Sequence, residues 1–436
     1  MITTLFATIF VLGVLIFIHE LGHFVAAKRI GIRVERFSLG FPPKLIGKKI
    51  GETEYCVSWI PLGGYVKMAG EHPDEKELTG APWEFQSRKV WERMVVVFAG
   101  PLMNFLAAVL IFWSMIGIGG LITVKTTQIG GIEENSFAAQ ADFRVGDTIL
   151  SVAGLPVVEW SEIFEKIEKH EGPLVDIEVN REGTVQTLSL SRDEIDESSD
   201  FTLGLSPFIG TEVGSVQRNM PAWKSGLKPG DEIVAIDGKP VEQWEDMADL
   251  IHAKPGVPMS VKWVRDDRIF EAVMTPENQE TMNAEGNLEE IGLIGIGPKM
   301  DRKRVGIFSS LWLGIRQTVY VAELTVMFVK KLILRQVSSK LVGGPISIAR
   351  MAGERAQSGF MELLGFMAFL SINLAILNIL PIPILDGGHM IFLAYEGITR
   401  KPLSLKKRGI LQQIGLAFLI LLMVYVTYND IIKLFQ

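Results

Sequence analysis

The first apolar segment of the chain, Ile2–Ala27, contains a cluster of ionisable residues, His19-Glu20-Leu21-Gly22-His23. On a helix, residues i and i+4 lie on one face, so both imidazoles can bind one zinc ion while Glu20 acts as a general base. Ionisable side chains are costly in hydrocarbon, and a cluster at membrane depth therefore indicates a functional site. The sequence predicts a metal-dependent catalytic centre inside a membrane helix.

Composition restricts the class of protein further. Of the 436 residues, 48% are hydrophobic, and the net charge of -7 argues against nucleic acid as a partner. The single cysteine, Cys56, excludes an intrachain disulfide framework and a cysteine-based zinc site. The first segment lacks a basic start and a small-residue cleavage site, so we expect a membrane helix there and not a signal peptide.

Four segments are long and apolar enough to cross a bilayer. They are Ile2–Ala27, Met94–Ile122, Phe360–Leu385 and Ile410–Ile432. Basic residues are concentrated between the first two and between the last two, which predicts that both connections are cytoplasmic. A fifth apolar segment, Ile307–Leu334, carries charges at helical spacing, and we expect an amphipathic helix lying in the membrane interface.

A catalytic zinc usually has three protein ligands, and Asp386 is the predicted third. It follows Pro381 and Pro383 at the end of the third segment, where irregular backbone requires a protein-lined or wet cavity. With four spans, the first and third run in the same direction and bring Asp386 to the side of His19 and His23. His389 is a weaker candidate, as a partner of a ligand.

The long stretch between the second and third spans contains an internal repeat with an offset of 84 residues. Gly146-Asp147 aligns with Gly230-Asp231, and Trp160 aligns with Trp244. Each copy has a Gly-Asp turn, a β-rich run, a second glycine turn and an amphipathic helix. This pattern resembles tandem PDZ domains, which bind an extended peptide by strand addition.

The expected fold is therefore a membrane α-helical protein with four transmembrane helices and two extracytoplasmic β-rich PDZ-like domains of the α+β class. Two β-prone runs, Val34–Leu39 and Tyr55–Ile60, also predict a hairpin next to the membrane. The expected division is 1–27, first membrane helix with the zinc motif; 28–93, cytoplasmic loop with the hairpin; 94–122, second helix; 123–206 and 207–300, the PDZ-like domains; 301–359, amphipathic membrane-associated region; 360–389, third helix with the third ligand; 390–409, cytoplasmic loop; and 410–436, fourth helix.

Together these motifs resemble the site-2 protease family of intramembrane zinc proteases, in particular the bacterial members that regulate sigma-E and carry tandem PDZ domains. The resemblance also includes Gly100-Pro-Leu-Met-Asn104, Gly344-Pro-Ile-Ser-Ile-Ala349 and the stretch from Asn378 to His389. It implies that His19, His23 and Asp386 bind Zn2+ and that Glu20 is the catalytic base.

The resemblance further implies how substrate is held. Asn378, with Pro381 and Pro383 beside it, would bind the substrate strand, and Gly204 and Gly295 would mark the peptide grooves of the PDZ domains. Alternatively, the grooves are closed and the domains act as obstacles of a given size.

The family's substrates are single-span membrane proteins, such as anti-sigma factors already trimmed outside by a site-1 protease, and remnant signal peptides. The implied location is the inner membrane, with the PDZ domains periplasmic and the metal site near the cytoplasmic side. One alternative is a membrane-anchored PDZ scaffold with an inactive zinc site, although a structural site needs no base such as Glu20. A metal transporter is another, although only one set of ligands is visible.

Overall fold

The computed structural model describes residues 2–71, 79–133, 136–191, 203–282, 288–338 and 342–435. The chain forms two compact units. Unit 1 comprises Met1–Gly119 and Val305–Gln436, and unit 2 comprises Gly120–Arg304. Within the described residues, four helices of unit 1 are long and apolar enough to cross a membrane, as the sequence predicted.

The helices vary widely in length. They are α1 (Ile2–Ile30), α2 (Val90–Gly119), α3 (Phe137–Gln140), α4 (Trp160–Lys169), α5 (Pro221–Lys224), α6 (Trp244–His252), α7 (Ile307–Ile333), α8 (Pro345–Ser358), α9 (Phe360–Ile379), α10 (Asp386–Thr399) and α11 (Leu405–Phe435). The four candidate spans lie in α1, α2, α9 and α11. The third span predicted from sequence is divided, because the helix ends at Ile379 and a new helix begins at Asp386.

The strands are short except in the first hairpin. They are β1 (Val34–Ile50), β2 (Thr53–Met68), β3 (Leu121–Thr123), β4 (Ile129–Ile132), β5 (Thr148–Val152), β6 (Leu155–Pro156), β7 (Leu174–Arg181), β8 (Thr184–Ser191), β9 (Leu205–Pro207), β10 (Val213–Val216), β11 (Glu232–Ile236), β12 (Lys239–Pro240), β13 (Met259–Arg265), β14 (Arg268–Met274), β15 (Glu277–Met282), β16 (Leu288–Leu293), β17 (Ile296–Pro298) and β18 (Asp301–Lys303).

Helices α1 and α2 are in close contact because a glycine faces the partner backbone. A Cβ atom on Gly22 would lie 2.2 Å from the carbonyl oxygen of Ala99, so any side chain there would push the helices apart. Helix α9 packs on another side of α2, where the Ser371 hydroxyl donates a 2.8 Å hydrogen bond to the carbonyl of Asn104. Helix α2 is therefore the central element of unit 1.

Helix α7 packs lengthwise against α2, antiparallel to it, while its position relative to the membrane interface stays a prediction. Ser310 and Gly314 are buried against Gly117 and Trp113 near the end of α2, and Ala322 packs near Phe105 farther along. Small residues at every fourth position form this contact face, and they allow close helix packing. Helix α7 is not among the four candidate spans within the described residues, in agreement with the sequence analysis.

Helix α8 is joined to α11 through a buried carboxylate. Asp430 accepts 3.0 Å hydrogen bonds from the amides of Gly344, Ile346 and Ser347, and it also accepts one from the Ser347 hydroxyl. These amides lie at the start of the helix, where backbone N–H groups have no hydrogen-bond acceptors within the helix itself. Asp430 therefore satisfies the N-terminus of α8 and fixes it to the last apolar helix.

Strands β1 and β2 form an antiparallel hairpin with a tight turn, in which Ile50 is paired with Thr53. Both predicted β-prone runs lie within these strands, which extend beyond them. The first part of β1 is also paired with the end of β2, with Leu39 opposite Gly64 and Phe37 opposite Val66. The hairpin thus folds back, so that its base packs beside α1.

Unit 2 contains two copies of one β-rich fold. The four-stranded sheets β6-β5-β7-β8 and β12-β11-β13-β14 have the same strand order, and each packs with one amphipathic helix, α4 or α6, over its own hydrophobic core. Strands β3 and β18, at the two ends of the unit, pair with each other, with Thr123 opposite Asp301. The chain therefore enters and leaves unit 2 at adjacent points.

The aspartate of the Gly-Asp turn has the same structural role in both copies. Asp147 is 1% exposed and accepts hydrogen bonds of 2.8 and 2.7 Å from the Arg181 side chain and 2.9 Å from the Arg144 amide. Asp231 binds Arg265 in the same two-pronged way, at 2.5 and 2.7 Å. Burial raises the pKa of Asp147, but the bonds from Arg181 and the Arg144 amide outweigh it and hold the pKa below its usual range.

We expect Asp147→Asn to destabilise the first copy by about 3 kcal/mol at neutral pH, because it leaves the Arg181 charge without its partner. The pKa of Asp147 is lower in the folded protein than the value of about 3.9 in the unfolded chain, so ionised Asp147 stabilises the fold above that pH. This stabilisation is lost as the pH falls below about 3.9 and through the folded-state pKa. The difference between parent and variant should therefore shrink below about pH 4.

Hydrogen exchange of β5 in the full-length protein measures this effect. Strand β11, which follows the equivalent turn in the second copy, provides the internal control. Equal loss of protection in β5 and β11, or no loss in either, would contradict this role of Asp147.

Candidate metal centre

The predicted ligands come together at one point of unit 1. The Nε2 atoms of His19 and His23 are 3.2 Å apart, and they lie 3.1 and 3.7 Å from the two carboxylate oxygens of Asp386. Among the described residues, these three form the one group of His, Cys, Asp or Glu side chains close enough to hold a metal ion. All three are largely shielded from solvent, since their side chains are 12%, 13% and 21% exposed.

The donor atoms suit a zinc ion. With zinc–nitrogen and zinc–oxygen bonds of about 2.0–2.1 Å, tetrahedral donors are about 3.3 Å apart. The observed separations of 3.1, 3.2 and 3.7 Å are close to this value. Two imidazoles and one carboxylate also form a ligand set that leaves a fourth position for water, as in catalytic zinc sites.

Asp386 reaches the histidines because the third apolar segment is broken. After Ile379 the backbone is irregular until α10 begins at Asp386, so the carboxylate lies at a helix N-terminus, where negative charge is favoured. Gly387 and Gly388 are buried against this irregular stretch, and Cβ atoms there would lie 2.1 and 2.3 Å from the carbonyl oxygens of Ile379 and Ile382. The two glycines therefore allow the tight break that places the carboxylate.

Helix α2 orients both imidazoles. The His23 Nδ1 atom lies 2.9 Å from the carbonyl oxygen of Val96, which makes Nδ1 the protonated nitrogen and leaves Nε2 free to bind metal. The His19 Nδ1 atom lies 3.5 Å from the amide group of Asn104, whose buried Oδ1 atom has no hydrogen-bond partner within the described residues. Turning this amide by 180° places Oδ1 as acceptor for the His19 N–H, and this orientation suits metal binding.

Gly100 makes room for the imidazoles. A Cβ atom at this position would lie 2.4 Å from the Nε2 atom of His23 and 2.8 Å from the Cε1 atom of His19. Even the smallest side chain would therefore occupy the space of a metal-binding nitrogen. This explains the glycine in the sequence Gly100-Pro-Leu-Met-Asn104, to which sequence reasoning had assigned no role.

Glu20 lies next to the ligands and beside the hairpin. Its side chain accepts a hydrogen bond from the backbone N–H of Val66, and a Cβ atom on Gly64 would lie 3.1 Å from its Cγ atom. In β2, this part of the strand pairs with β1 on its other side. An edge of β2 therefore faces the predicted catalytic base.

The other predicted site residues lie around this centre or far from it. Asn378 is half-buried in the last turn of α9, and Pro381 and Pro383 lie in the irregular stretch before Asp386. The Nδ1 atom of His389 lies 3.4 Å from an Arg408 nitrogen. It thus contacts the start of α11.

Gly204 and Gly295 occupy equivalent turns in the two copies of unit 2. Both have positive φ, at +75° and +80°, and Cβ atoms there would lie 2.2 Å from Ser136 and 2.3 Å from Met220. Each turn is also hydrogen-bonded to its own domain. The Gly204 carbonyl accepts a hydrogen bond from the Glu133 amide, and the Gly295 carbonyl accepts one from the Gln217 amide. A side chain at either glycine would therefore strain the fold, whether or not a peptide groove is used.

Comparison with known proteins gives one family. A profile described as Peptidase family M50 matches residues 7–422 of the chain. The regulator of sigma-E protease RseP of Escherichia coli is 35% identical over 446 residues, which cover 97% of both chains. A protein of Neisseria meningitidis, provisionally named a zinc metalloprotease, is 34% identical over 449 residues and 99% of both chains.

One similar solved structure covers about a fifth of the chain. A PDZ domain of an SdrC-like protein from Listeria monocytogenes is 26% identical, and the match covers 21% of this chain and 90% of that domain. The TM-score is 0.17, which is too low to define a fold.

Gly100→Ala should lower the zinc content of the purified protein at least tenfold, because the added methyl group overlaps His23 Nε2. Gly117→Ala is a matched control on the same helix, since its Cβ atom would lie 3.5 Å from the nearest atom, the Ser310 hydroxyl. Elemental analysis of both variants in detergent decides the question. A Gly100→Ala protein with full zinc content would show that the ligands do not lie as described.

Proposed function

This chain belongs to peptidase family M50 and is a metalloprotease, and we propose that it hydrolyses peptide bonds within the membrane-spanning segments of other proteins. One observation carries the proposal: two histidines of an apolar, span-length helix meet an aspartate that follows the end of another by a short irregular stretch, with a glutamate beside them. A catalytic ligand set at membrane depth is best explained by a substrate that is itself in the membrane.

The reaction follows from the residues at the centre. When bound, zinc supplies a water molecule with a pKa near 7 and a positive charge for the scissile carbonyl oxygen. Glu20 takes a proton from the attacking water as the water oxygen bonds to the scissile carbonyl carbon, and it delivers this proton to the amide nitrogen as the C–N bond breaks. His19, His23 and Asp386 would hold the metal beside Glu20, and the backbone N–H of Val66 orients the Glu20 carboxylate.

The substrate segment must unwind before it is cut. A membrane helix hides its carbonyl groups in internal hydrogen bonds, and freed backbone groups are costly in lipid. The edge of β2 beside Glu20 offers backbone partners to an extended substrate strand. The half-buried Asn378 side chain, at the end of α9, is suited to hold the same strand from the other side of the break, next to Pro381 and Pro383.

The proposed substrates are single-span membrane proteins, namely anti-sigma factors and remnant signal peptides. Support comes from the similarity to proteins named regulators of sigma-E protease, which cover almost all of this chain. An upstream site-1 protease would first remove the outer domain of the substrate. Cleavage here would then release a cytoplasmic signalling fragment.

The proposed location is the inner membrane, with unit 2 periplasmic and the metal centre toward the cytoplasm. The basic residues near Lys28 and Arg408 support this orientation. Ser404 and Thr184 are exposed, so cysteines introduced there can be labelled after Cys56 is replaced. Position 404 should be labelled from the cytoplasm and position 184 from the periplasm. Labelling of position 404 from outside the cell would contradict the orientation.

Glu20→Gln should abolish cleavage of a membrane substrate while zinc remains bound, because the amide keeps the shape of Glu20 but cannot accept the proton. His23→Ala and Asp386→Ala should lose both zinc and cleavage, since they remove ligands. Zinc analysis and a cleavage assay on the same preparations test both statements. A cleaving Glu20→Gln protein would exclude Glu20 as the base, and a parent protein that binds zinc but cleaves no membrane substrate would favour the scaffold alternative.

We propose that unit 2 screens substrates, because it contains none of the metal ligands and therefore takes no part in the bond-breaking step. Its domains either exclude a bulky outer domain of the substrate or bind a newly exposed peptide end. Gly204 and Gly295 are poor positions for separating these two versions, since side chains there strain the turns themselves.

Deletion of unit 2 between β3 and β18 should weaken discrimination and leave zinc binding intact. Because Thr123 and Asp301 are paired neighbours, a short glycine turn can join them and replace residues 124–300. Cleavage of trimmed and untrimmed substrate by intact and deleted enzyme, in one detergent, provides the measurement. Equal rejection of the untrimmed form by both enzymes would contradict the screening role.

A further inference from the structure

A largely buried ion pair, in which Arg93 is buried and Glu396 is partly exposed, joins the start of α2 to the far end of α10. The Arg93 Nη2 atom lies 2.5 Å from the Oε1 atom of Glu396, and the two side chains are 5% and 20% exposed. The Arg93 Nη1 atom also donates a 3.1 Å hydrogen bond to the Gln86 side chain. Arg93 and Glu396 come from sequence-distant segments, and neither is a ligand or lies in the predicted catalytic set.

The position of α10 relative to α2 determines where Asp386 lies. On its N-terminal side, α10 is tied to α9 by the irregular stretch after Ile379. Leu393 packs in the same hydrophobic cluster as Val96 and Val97 of α2, and Gly397 lies beside Val90. The ion pair lies at the same contact, where it adds a directional bond to apolar packing that can slide.

The same short segment of α2 also orients a histidine ligand. Arg93 precedes Val96 by about one helical turn, and the Val96 carbonyl holds His23. Glu396 lies roughly 15 Å along α10 from Asp386. A rotation or shift of α10 at Glu396 is therefore carried along a rigid helix to the carboxylate, while His23 stays fixed to α2.

We propose that Arg93 and Glu396 form a positioning pair, which fixes α10 against α2 so that Asp386 meets His19 and His23 at metal-binding distance. This inference rests on the metal site of the proposed function. Its physical basis is that a buried ion pair contributes little net stability compared with apolar residues of similar size but strongly disfavours arrangements that separate its charges. Ligand distances for a metal are tolerated only within about 0.2 Å.

The test compares zinc affinity with stability in the full-length protein in detergent. The variants are Glu396→Gln, Arg93→Glu, and the double variant that exchanges the two charges. Glu362→Gln is the matched control, because the Arg355–Glu362 pair also joins two helices of unit 1 but is 50% and 56% exposed. Met367→Ala, in a buried cluster of α1, α8 and α9, provides a destabilised protein with α10 untouched.

The measurements are the zinc dissociation constant by chelator competition, the visible spectrum of the cobalt-substituted protein, and thermal unfolding. Glu396→Gln should weaken zinc binding at least tenfold and alter the cobalt spectrum. The charge exchange should recover zinc affinity to within threefold of the parent, while Arg93→Glu alone should not. Glu362→Gln should match the parent.

A purely structural role gives a different result. Glu396→Gln would then bind zinc within twofold of the parent. Alternatively, Glu396→Gln and Met367→Ala would have the same thermal stability, and Glu396→Gln would lose no more zinc affinity than Met367→Ala. Either outcome overturns the positioning role. If the parent itself binds no zinc, the metal site is wrong and this inference falls with it, so the two failures are distinguishable.

Discussion

The close contact between α1 and α2 is the constraint on which the rest of unit 1 depends. Helices usually pack 8–10 Å apart, which leaves room for side chains between them. Here Gly22 lies against the backbone of Ala99, and Gly100 lies against both imidazoles. Because α2 comes this near, its own groups, the Val96 carbonyl and the Asn104 amide, can orient His23 and His19. The candidate metal centre is thus formed by helix packing, and a loop is not needed to hold the histidines.

The aspartate reaches the same place by the opposite means, a break in a helix. Backbone groups without hydrogen-bond partners are costly at membrane depth, so the N–H and C=O groups freed by such a break must find partners nearby. The Leu380 amide donates to a carbonyl in the last turn of α9, the amides of Ile382 and Leu385 donate to carbonyls within the stretch, and the prolines have no amide hydrogen to satisfy. Glycines after Asp386 then let the new helix start against the old one. The break therefore delivers a carboxylate while leaving few backbone groups unpaired.

The sequence predicted the features that follow from local periodicity and missed those that depend on distant partners. The i, i+4 spacing determined the shared face of His19 and His23, and the number of spans determined the side of Asp386. The pairing of Arg93 with Glu396 has no local signal, because the residues are far apart in sequence. The partners of Asp147 and Asp231 could have been found, since Arg181 and Arg265 are separated by the same 84 residues. For α7, charges suggested an interfacial helix, while the small residues Ser310, Gly314 and Thr318 at every fourth position indicated lengthwise packing.

The connections between the two units restrict how one can influence the other through the chain. Unit 2 is reached through the end of α2 at Gly119, and the chain returns from it to the start of α7 at Ile307. These two helices pack on each other, with Gly314 against the backbone of Trp113. Helix α2 in turn carries Gly100 and Asn104, which border the candidate metal centre. A force on unit 2 that is transmitted through the chain therefore acts first on the α2–α7 pair. A shift of α2 along its axis would move the groups that orient both histidines.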